Sequence, residues 1–356
     1  MEKVKALKIG KLPTGKKNCI TDVADVRVGH VTLDFPLDAD GEEAACTGVT
    51  AILPHGGNLF KEKLTAASYV LNGFGKSTGL VQVNELGVLE SPIMLTNTFG
   101  VPAVTQGTLE YMLKQNPEIG ETTGTINIVV GECNDSYLNS IRHFPVHSKH
   151  AVEAIQKAAA DKAEEGAVGA GKGMICFGFK GGIGTSSRVV KLEELEIQYT
   201  IGCLVLSNFG KEEEFLTDTY TGLTETLQQG LAETSDGSII IILATDAPLS
   251  DRQLLRVIKR CGIGLGRTGS NVSHGSGDIV IGFSTAQSIP HDSESPYETY
   301  KLLREDHFIF NQLFVAAAEA TEEAILHSLL QAETTKGRKG RIVHQYSNRK
   351  EGSLKA

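Results

Sequence analysis

The run Ser238-Ile239-Ile240-Ile241-Ile242-Leu243 constrains this chain more than any other segment. Its consecutive aliphatic side chains leave neither parity of an extended segment polar, which is the pattern of a strand buried on both faces. Such a strand needs neighbours beside it and cover above and below. Further strand candidates, bounded by Gly, Pro or Asn, are Gly48 to Leu53, Leu80 to Val83, Ile93 to Leu95, Ile126 to Val130, Met174 to Phe177, Ile197 to Leu206 and Asp278 to Phe283. Helical periodicity covers Val101 to Lys114, Ser148 to Glu164 with Ser148 as its cap, Ser250 to Arg260, and Phe310 to Gln331. Strands and helices do not alternate strictly, and Ile183 to Phe209 reads as mostly strand, which favours mixed or antiparallel sheets over a doubly wound parallel one. The expectation is a layered α/β sandwich with stacked sheets at the centre and helices outside.

No Pro-rich, Ser-rich or charged linker divides the 356 residues, so a single domain, 1–356, is expected. The net charge of −9 argues against a nucleic-acid surface, which draws on clustered Lys and Arg. The short basic cluster Lys336 to Arg341 reads as a solvated tail. Cys19, Cys46, Cys133, Cys176, Cys203 and Cys261 form no CxxC pair, which disfavours both a metal cluster and a disulfide framework. The first 18 residues lack the apolar stretch of a signal peptide, and no segment approaches the roughly 18 apolar residues of a membrane span. A soluble, cytoplasmic protein with no membrane partner is expected.

Three motifs invite other chemistry. Gly75-Lys76-Ser77-Thr78 resembles the end of a phosphate loop, but Val70 stands where the first glycine belongs and a helical pattern precedes it. Gly264-Leu265-Gly266-Arg267-Thr268-Gly269 matches GxGxxG literally, yet follows a helix with no strand entering it. His143, His147 and His150 are closely spaced, but Pro145 interrupts any helix that would align them, so they read as solvated loop histidines and no metal is expected.

The junction Asp236-Gly237-Ser238 is richer. The stretch Glu225 to Asp236 is largely polar and turn-like, and Ser238 then opens the buried strand. Glycine at 237 tolerates backbone that a self-attacking hydroxyl requires. Cleavage before Ser238 would create an α-amine beside its hydroxyl, with an unperturbed pKa of about 7.7 to 8.0, able to act as general base near neutral pH. By itself the junction reads better as an ordinary turn into a strand, because turn-Gly-Ser-strand sequences are common. Downstream, His274-Gly275-Ser276-Gly277-Asp278 enters another strand, with Ser276 and Asp278 on the same side. A carboxylate polarising Ser276, which in turn contacts the nucleophile or its amine, supplies the orienting third group of a nucleophilic site. Read alone, this segment is also a plain hydrogen-bonded turn.

At these residues the sequence resembles the self-processing aminopeptidases that include the L-aminopeptidase D-Ala-esterase/amidase and the β-peptidyl aminopeptidases. Matching motifs run in the family's order along the chain. They include Gly48 to Pro54, Thr96-Asn97-Thr98, Gly131-Glu132-Cys133-Asn134-Asp135-Ser136-Tyr137-Leu138-Asn139, Gly178 to Arg188, Ser207 to Gly210, Gly237-Ser238, Ala244 to Leu249, Arg267-Thr268-Gly269, Gly275 to Asp278 and Glu319 to Ala324.

The resemblance implies a four-layer αββα sandwich, like that of N-terminal nucleophile hydrolases but with different strand connectivity. It further implies cleavage into 1–237 and 238–356, with Ser238 as nucleophile assisted by Ser276 and Asp278. Asp278 stands where some relatives have the longer Glu. Asn208 matches the oxyanion donor, Tyr137 a tyrosine lining the same site, and Glu132 the acidic residue that holds the substrate's amino group. Cys133 follows it where a small polar residue is more usual, and no catalytic role attaches to the thiol. Members are tetramers of αβ heterodimers and act on small L-, D- or β-amino acid peptides, amides or esters without cofactor. An acyltransferase of similar architecture and an unprocessed binding protein are the rival readings.

Overall fold

The structure is a computed structural model that describes residues 9–192, 196–220 and 237–346, so Glu225 to Asp236 lie outside the described residues. From the N-terminus the chain forms β1 (Arg27–Pro36), β2 (Ala44–Leu53), β3 (Glu62–Gly73), α1 (Leu80–Leu86), β4 (Val88–Leu89), β5 (Ile93–Asn97), α2 (Val101–Gln115) and β6 (Val129–Cys133). There follow α3 (Ser148–Gln156), β7 (Ile175–Cys176), β8 (Phe179–Lys180), β9 (Gly182–Leu192), β10 (Ile197–Asn208) and β11 (Ser238–Thr245). The remainder is α4 (Asp251–Ile258), α5 (Cys261–Arg267), β12 (Gly277–Pro290), α6 (Phe308–Leu330), β13 (Thr335–Lys336) and β14 (Ile342–Val343).

Two sheets dominate, ordered β1-β2-β5-β6 and β4-β3-β12-β11-β10-β9. Both are mixed, antiparallel throughout except for the β5–β6 and β11–β12 pairs. The run in β11 shows how they stack. Ile239, Ile241 and Leu243 share a core with Leu254 and Val257 of α4 and Leu313 and Ala320 of α6. Ile240, Ile242 and Ala244 share another with Ile52, Ile93, Leu95 and Val129 of the smaller sheet. The smaller sheet's other face packs Val49, Met94 and Val130 against Val104 and Met112 of α2 and Ala151 and Ile155 of α3. The order is therefore helices, sheet, sheet, helices. Each buried Ile of β11 contributes about 1.5–3 kcal/mol, which is why both parities are apolar between its polar ends, Ser238 and Thr245.

A charged group is nonetheless built into the helix-facing layer. Arg188 of β9 is fully buried and pairs with Glu319 at 3.2 Å and Glu323 at 2.5 Å, both on α6, while donating to the Ile9 carbonyl at 2.8 Å. Glu319 in turn accepts from the Lys11 and Leu12 amides, fastening the N-terminal strap to α6.

Several expectations are corrected. Leu80 to Val83 lies in α1, not a strand: glycines at both ends, Gly79 and Gly87, take left-handed backbone and delimit a helical turn pair. A short apolar run cannot separate strand from helix by periodicity. What precedes Gly75 is β3, a long strand whose mixed burial the pattern hid. The third helix ends at Gln156 rather than Glu164, because Ala159 pairs with Val28 on the edge of β1, and its cap is His147, with Ser148 the first helical residue. The strand expected at Ile126 to Val130 is shifted to Val129–Cys133. His150 is buried on α3, its Nδ1 accepting from the His147 amide, while His143 and His147 are exposed. Lys336 to Arg341 is a hairpin docked on the body, with Arg338 beside Glu43 at 3.4 Å. Among the described residues, no helix is long and apolar enough to cross a membrane.

Candidate active site

Ser238 is the first residue of β11 and sits opposite Asn208, the last residue of β10, while its neighbour Ile239 pairs with Asp278 of β12. Three adjacent strands thus deliver Ser238, Asn208 and Asp278 to one end of the larger sheet. Ser238 has the parity of Ile240, and Asn208 that of Leu206, placing both side chains toward the smaller sheet. Ser238 is buried, and its Oγ accepts a hydrogen bond from the Gly277 amide at 3.1 Å. Before it, Gly237 is crowded against the end of β10: a Cβ there would lie 2.0 Å from the Asn208 carbonyl oxygen. Close backbone approach demands glycine at this position.

Ser276 donates from its Oγ to Asp278 Oδ1 at 2.8 Å, the pairing that their spacing suggested. The hydrogen bond that reaches Ser238 comes from the amide of Gly277 between them, not from the Ser276 hydroxyl. Asp278 is 1% exposed, and its Oδ2 is buried with no hydrogen-bond partner. Burial pushes this carboxyl up to about 6, against the opposing hydrogen bond from Ser276. Asn72, at the end of β3, was not anticipated. Its Nδ2 donates to the carbonyls of Ser273 at 3.0 Å, His274 at 2.9 Å and Ser276 at 2.5 Å, pinning the loop that carries Ser276.

The Asn208 carboxamide is oriented by two bonds: Oδ1 accepts from the Ile175 amide at 2.9 Å and Nδ2 donates to the Asn134 carbonyl at 3.0 Å. A carboxamide nitrogen carries a second N–H, available for a developing oxyanion. Glu132, near the end of β6, is buried. Its Oε1 accepts from the Lys76 amide at 2.8 Å and its Oε2 from the Thr98 hydroxyl. The segment 74–76 connects Glu132 to the serines, since the Phe74 amide donates to the Ser276 carbonyl at 3.3 Å. The Gly75-Lys76 motif thus serves a carboxylate rather than a phosphate.

Tyr137 stands in the turn after β6. Arg341 lies over its ring at 4.6 Å and donates to its carbonyl at 2.9 Å, a partner the sequence did not reveal. Among the described residues no hydrogen bond joins Tyr137 to Ser238, Asn208 or Asp278; its side chain packs against the cluster of Cys46, Leu138, Ile175 and Val343, which includes the residue whose amide holds Asn208. The Cys133 thiol is held well above its ordinary value by burial, and by the Glu132 and Asp278 carboxylates, so it stays protonated and inert.

A hydroxyl fixed at a strand end, a carboxamide donor on the adjacent strand and a buried Ser–Asp pair are the parts needed to open an acyl group by nucleophilic attack. The αββα sandwich that carries them is the layered architecture of the N-terminal nucleophile hydrolase fold. The chain belongs to peptidase family S58, whose sequence profile matches residues 18–343. It is similar to the β-peptidyl aminopeptidase BapA of Sphingosinicella microcystinivorans, 38% identical over 352 residues, covering 93% of this chain and 86% of that protein. Among solved structures it is similar to the PH0078 protein from Pyrococcus horikoshii OT3, with a TM-score of 0.87, 48% identity, and coverage of 97% of this chain and 95% of the other. It is also similar to the L-aminopeptidase D-Ala-esterase/amidase from Ochrobactrum anthropi, with a TM-score of 0.86, 33% identity, and coverage of 95% and 94%. That protein is described as a prototype for the serine aminopeptidases and a variant of the N-terminal nucleophile hydrolase fold. The layered architecture read from the sequence is thereby borne out.

Proposed function

We propose that the chain is a serine aminopeptidase that activates itself by cutting the Gly237–Ser238 bond, giving pieces 1–237 and 238–356. The observation that carries the reading is the Ser238 Oγ, held by the Gly277 amide beside the buried Ser276–Asp278 pair. In self-cleavage that oxygen attacks the Gly237 carbonyl carbon, the C–N bond breaks so that the Ser238 α-amine is released and an ester to Oγ is left, and water then hydrolyses the ester to free the Ser238 hydroxyl and the Gly237 carboxylate. In turnover the same oxygen attacks the substrate carbonyl while the α-amine takes the hydroxyl proton and passes it to the leaving amine. Asn208 Nδ2 donates to the oxyanion, Tyr137 lines the same site, and water then releases the acyl group.

Glu132 explains why the enzyme trims from the N-terminus: its carboxylate, preset by Lys76 and Thr98, pairs with the free amino group of the first residue. The substrates are short peptides, amides or esters with an unblocked amine, in keeping with relatives named for β-peptides and for L-amino and D-Ala substrates. A reducing, cytoplasmic setting fits six buried, unpaired cysteines. Exposed apolar side chains at Val81, Leu86 and Phe144 suit assembly of the αβ heterodimers into a tetramer.

The test is release of the first residue from a panel of short α- and β-peptides and amino-acid amides, each offered free and N-acetylated. Free substrates are cleaved and blocked ones resist. Equal cleavage of the blocked set would overturn the role given to Glu132, and no cleavage of any member would overturn the enzyme reading.

A further inference from the structure

We propose that Lys180 is a positioning residue for the Asn208 carboxamide, acting through the β7–β8 hairpin; this rests on the reading of Asn208 as the oxyanion donor. Lys180 is fully buried, and its ammonium donates to three carbonyls: Gly171 at 2.9 Å, Met174 at 2.7 Å and Gly181 at 2.7 Å. Those bonds use all three N–H groups of a lysine. Among the described residues, no carboxylate lies within salt-bridge distance of it. The ammonium is therefore held by backbone carbonyls, with the Asp135 carboxyl further off as a favourable charge, and it ties the start and end of one hairpin into a single knot.

That hairpin is what holds Asn208. The Met174 carbonyl bound by Lys180 belongs to the peptide whose N–H, that of Ile175, donates to Asn208 Oδ1. One turn on, the Phe177 amide donates to the Phe209 carbonyl at 2.8 Å, so the hairpin grips the residue after Asn208 as well. Gly181 is equally tight against the strand, since a Cβ there would lie 2.7 Å from the Ser207 carbonyl oxygen. The donor from Ile175 fixes which end of the carboxamide is oxygen and leaves nitrogen to face Asn134 and the site. Without the knot, the Met174–Ile175 peptide can rotate and the carboxamide loses its fixed aim.

Packing does not require an ammonium here. Burial pulls Lys180 down to about 7 from 10.5, so a charged form is costly and an aliphatic side chain of the same length would fill the space without that cost. Its retention at the back of the donor's support is the expectation for a group that orients rather than one that only packs.

The experiment is a double-mutant cycle on kcat and KM, per cleaved chain, with Lys180→Met, Asn208→Ala and the pair, using an amino-acid amide as substrate. Removing one oxyanion donor costs about 10²–10³ in kcat in comparable sites. Lys180→Met is expected to lower kcat by roughly tenfold to a hundredfold with KM held within about twofold, and to add little in the Asn208→Ala background. Full additivity of the two losses, or an unchanged kcat in Lys180→Met, overturns the proposal. An unchanged kcat in Asn208→Ala overturns the underlying reading of Asn208 instead, whatever Lys180→Met does. Should Lys180→Met not fold, Lys180→Leu, which likewise removes all three donors, is scored by the same criteria.

Discussion

Replacing Asp278 with Asn separates what this residue does for the reaction from what it does for the fold. The carboxyl is 1% exposed, accepts from Ser276 through Oδ1, and has a buried Oδ2 that no group satisfies. Its pKa in the folded chain is raised from 3.8 to about 6 by burial. At ~1.4 kcal/mol per pH unit, the cost of carrying the ionised form is at most about 3 kcal/mol. Because the folded-state value is the higher one, the stability contributed by the protonated carboxyl is complete below about pH 4 and is lost as pH climbs through about 6. Asp278→Asn keeps an acceptor for Ser276 and removes the ionisation. The assay is urea unfolding of uncut Ser238→Ala chains, with and without the change, at several pH values. Near pH 4 the two should unfold together; near pH 8 the Asp278→Asn chain should be the more stable, by ~1–3 kcal/mol. In the enzyme that retains Ser238, the same change should lower kcat on the order of 10²-fold, since nothing charged then polarises Ser276. A stability difference that does not vary with pH, or a full kcat, would refute the reasoning.

Other substitutions test the neighbouring parts. Glu132→Gln keeps an acceptor for the Lys76 amide but loses the charge, and KM for free-amine substrates should rise roughly 10- to 100-fold, for the 1.5–3 kcal/mol of a charged hydrogen bond, with kcat much less affected in steady-state assays. Gly237→Ala puts a methyl group 2.0 Å from the Asn208 carbonyl oxygen, so the scissile peptide must move and self-cleavage, followed by gel over time, should slow by an order of magnitude or more. Arg188→Ala strands Glu319 and Glu323 in the helix-facing layer and should lower unfolding stability in urea by about 3–5 kcal/mol.

The parts of the site that were legible in the sequence are the local ones. Five aliphatic residues in succession fix β11 because no exposed strand carries them, and Ser276 and Asp278 lie two residues apart, close enough to bond whatever surrounds them. The illegible parts are contacts between segments far apart along the chain. Arg341 reaches Tyr137 across 204 positions, and Asn72 reaches the Ser276 loop across a similar span. Glu132 meets the Lys76 amide only because two sheets stack, which turns a loop that looks like a phosphate cradle into the support of a carboxylate. The helix at Leu80–Leu86 shows the same limit on a smaller scale, since its glycine boundaries outweigh an apolar run of strand-like composition.

The central claim is that Ser238 cuts the bond before itself, and an intact-mass measurement of the purified protein tests it most directly. The account predicts two pieces in place of the 38.1 kDa chain, the second starting Ser238-Ile239-Ile240, and a single uncut chain for Ser238→Ala. A parent protein that remains whole, or a Ser238→Ala protein still split at this bond, would contradict it.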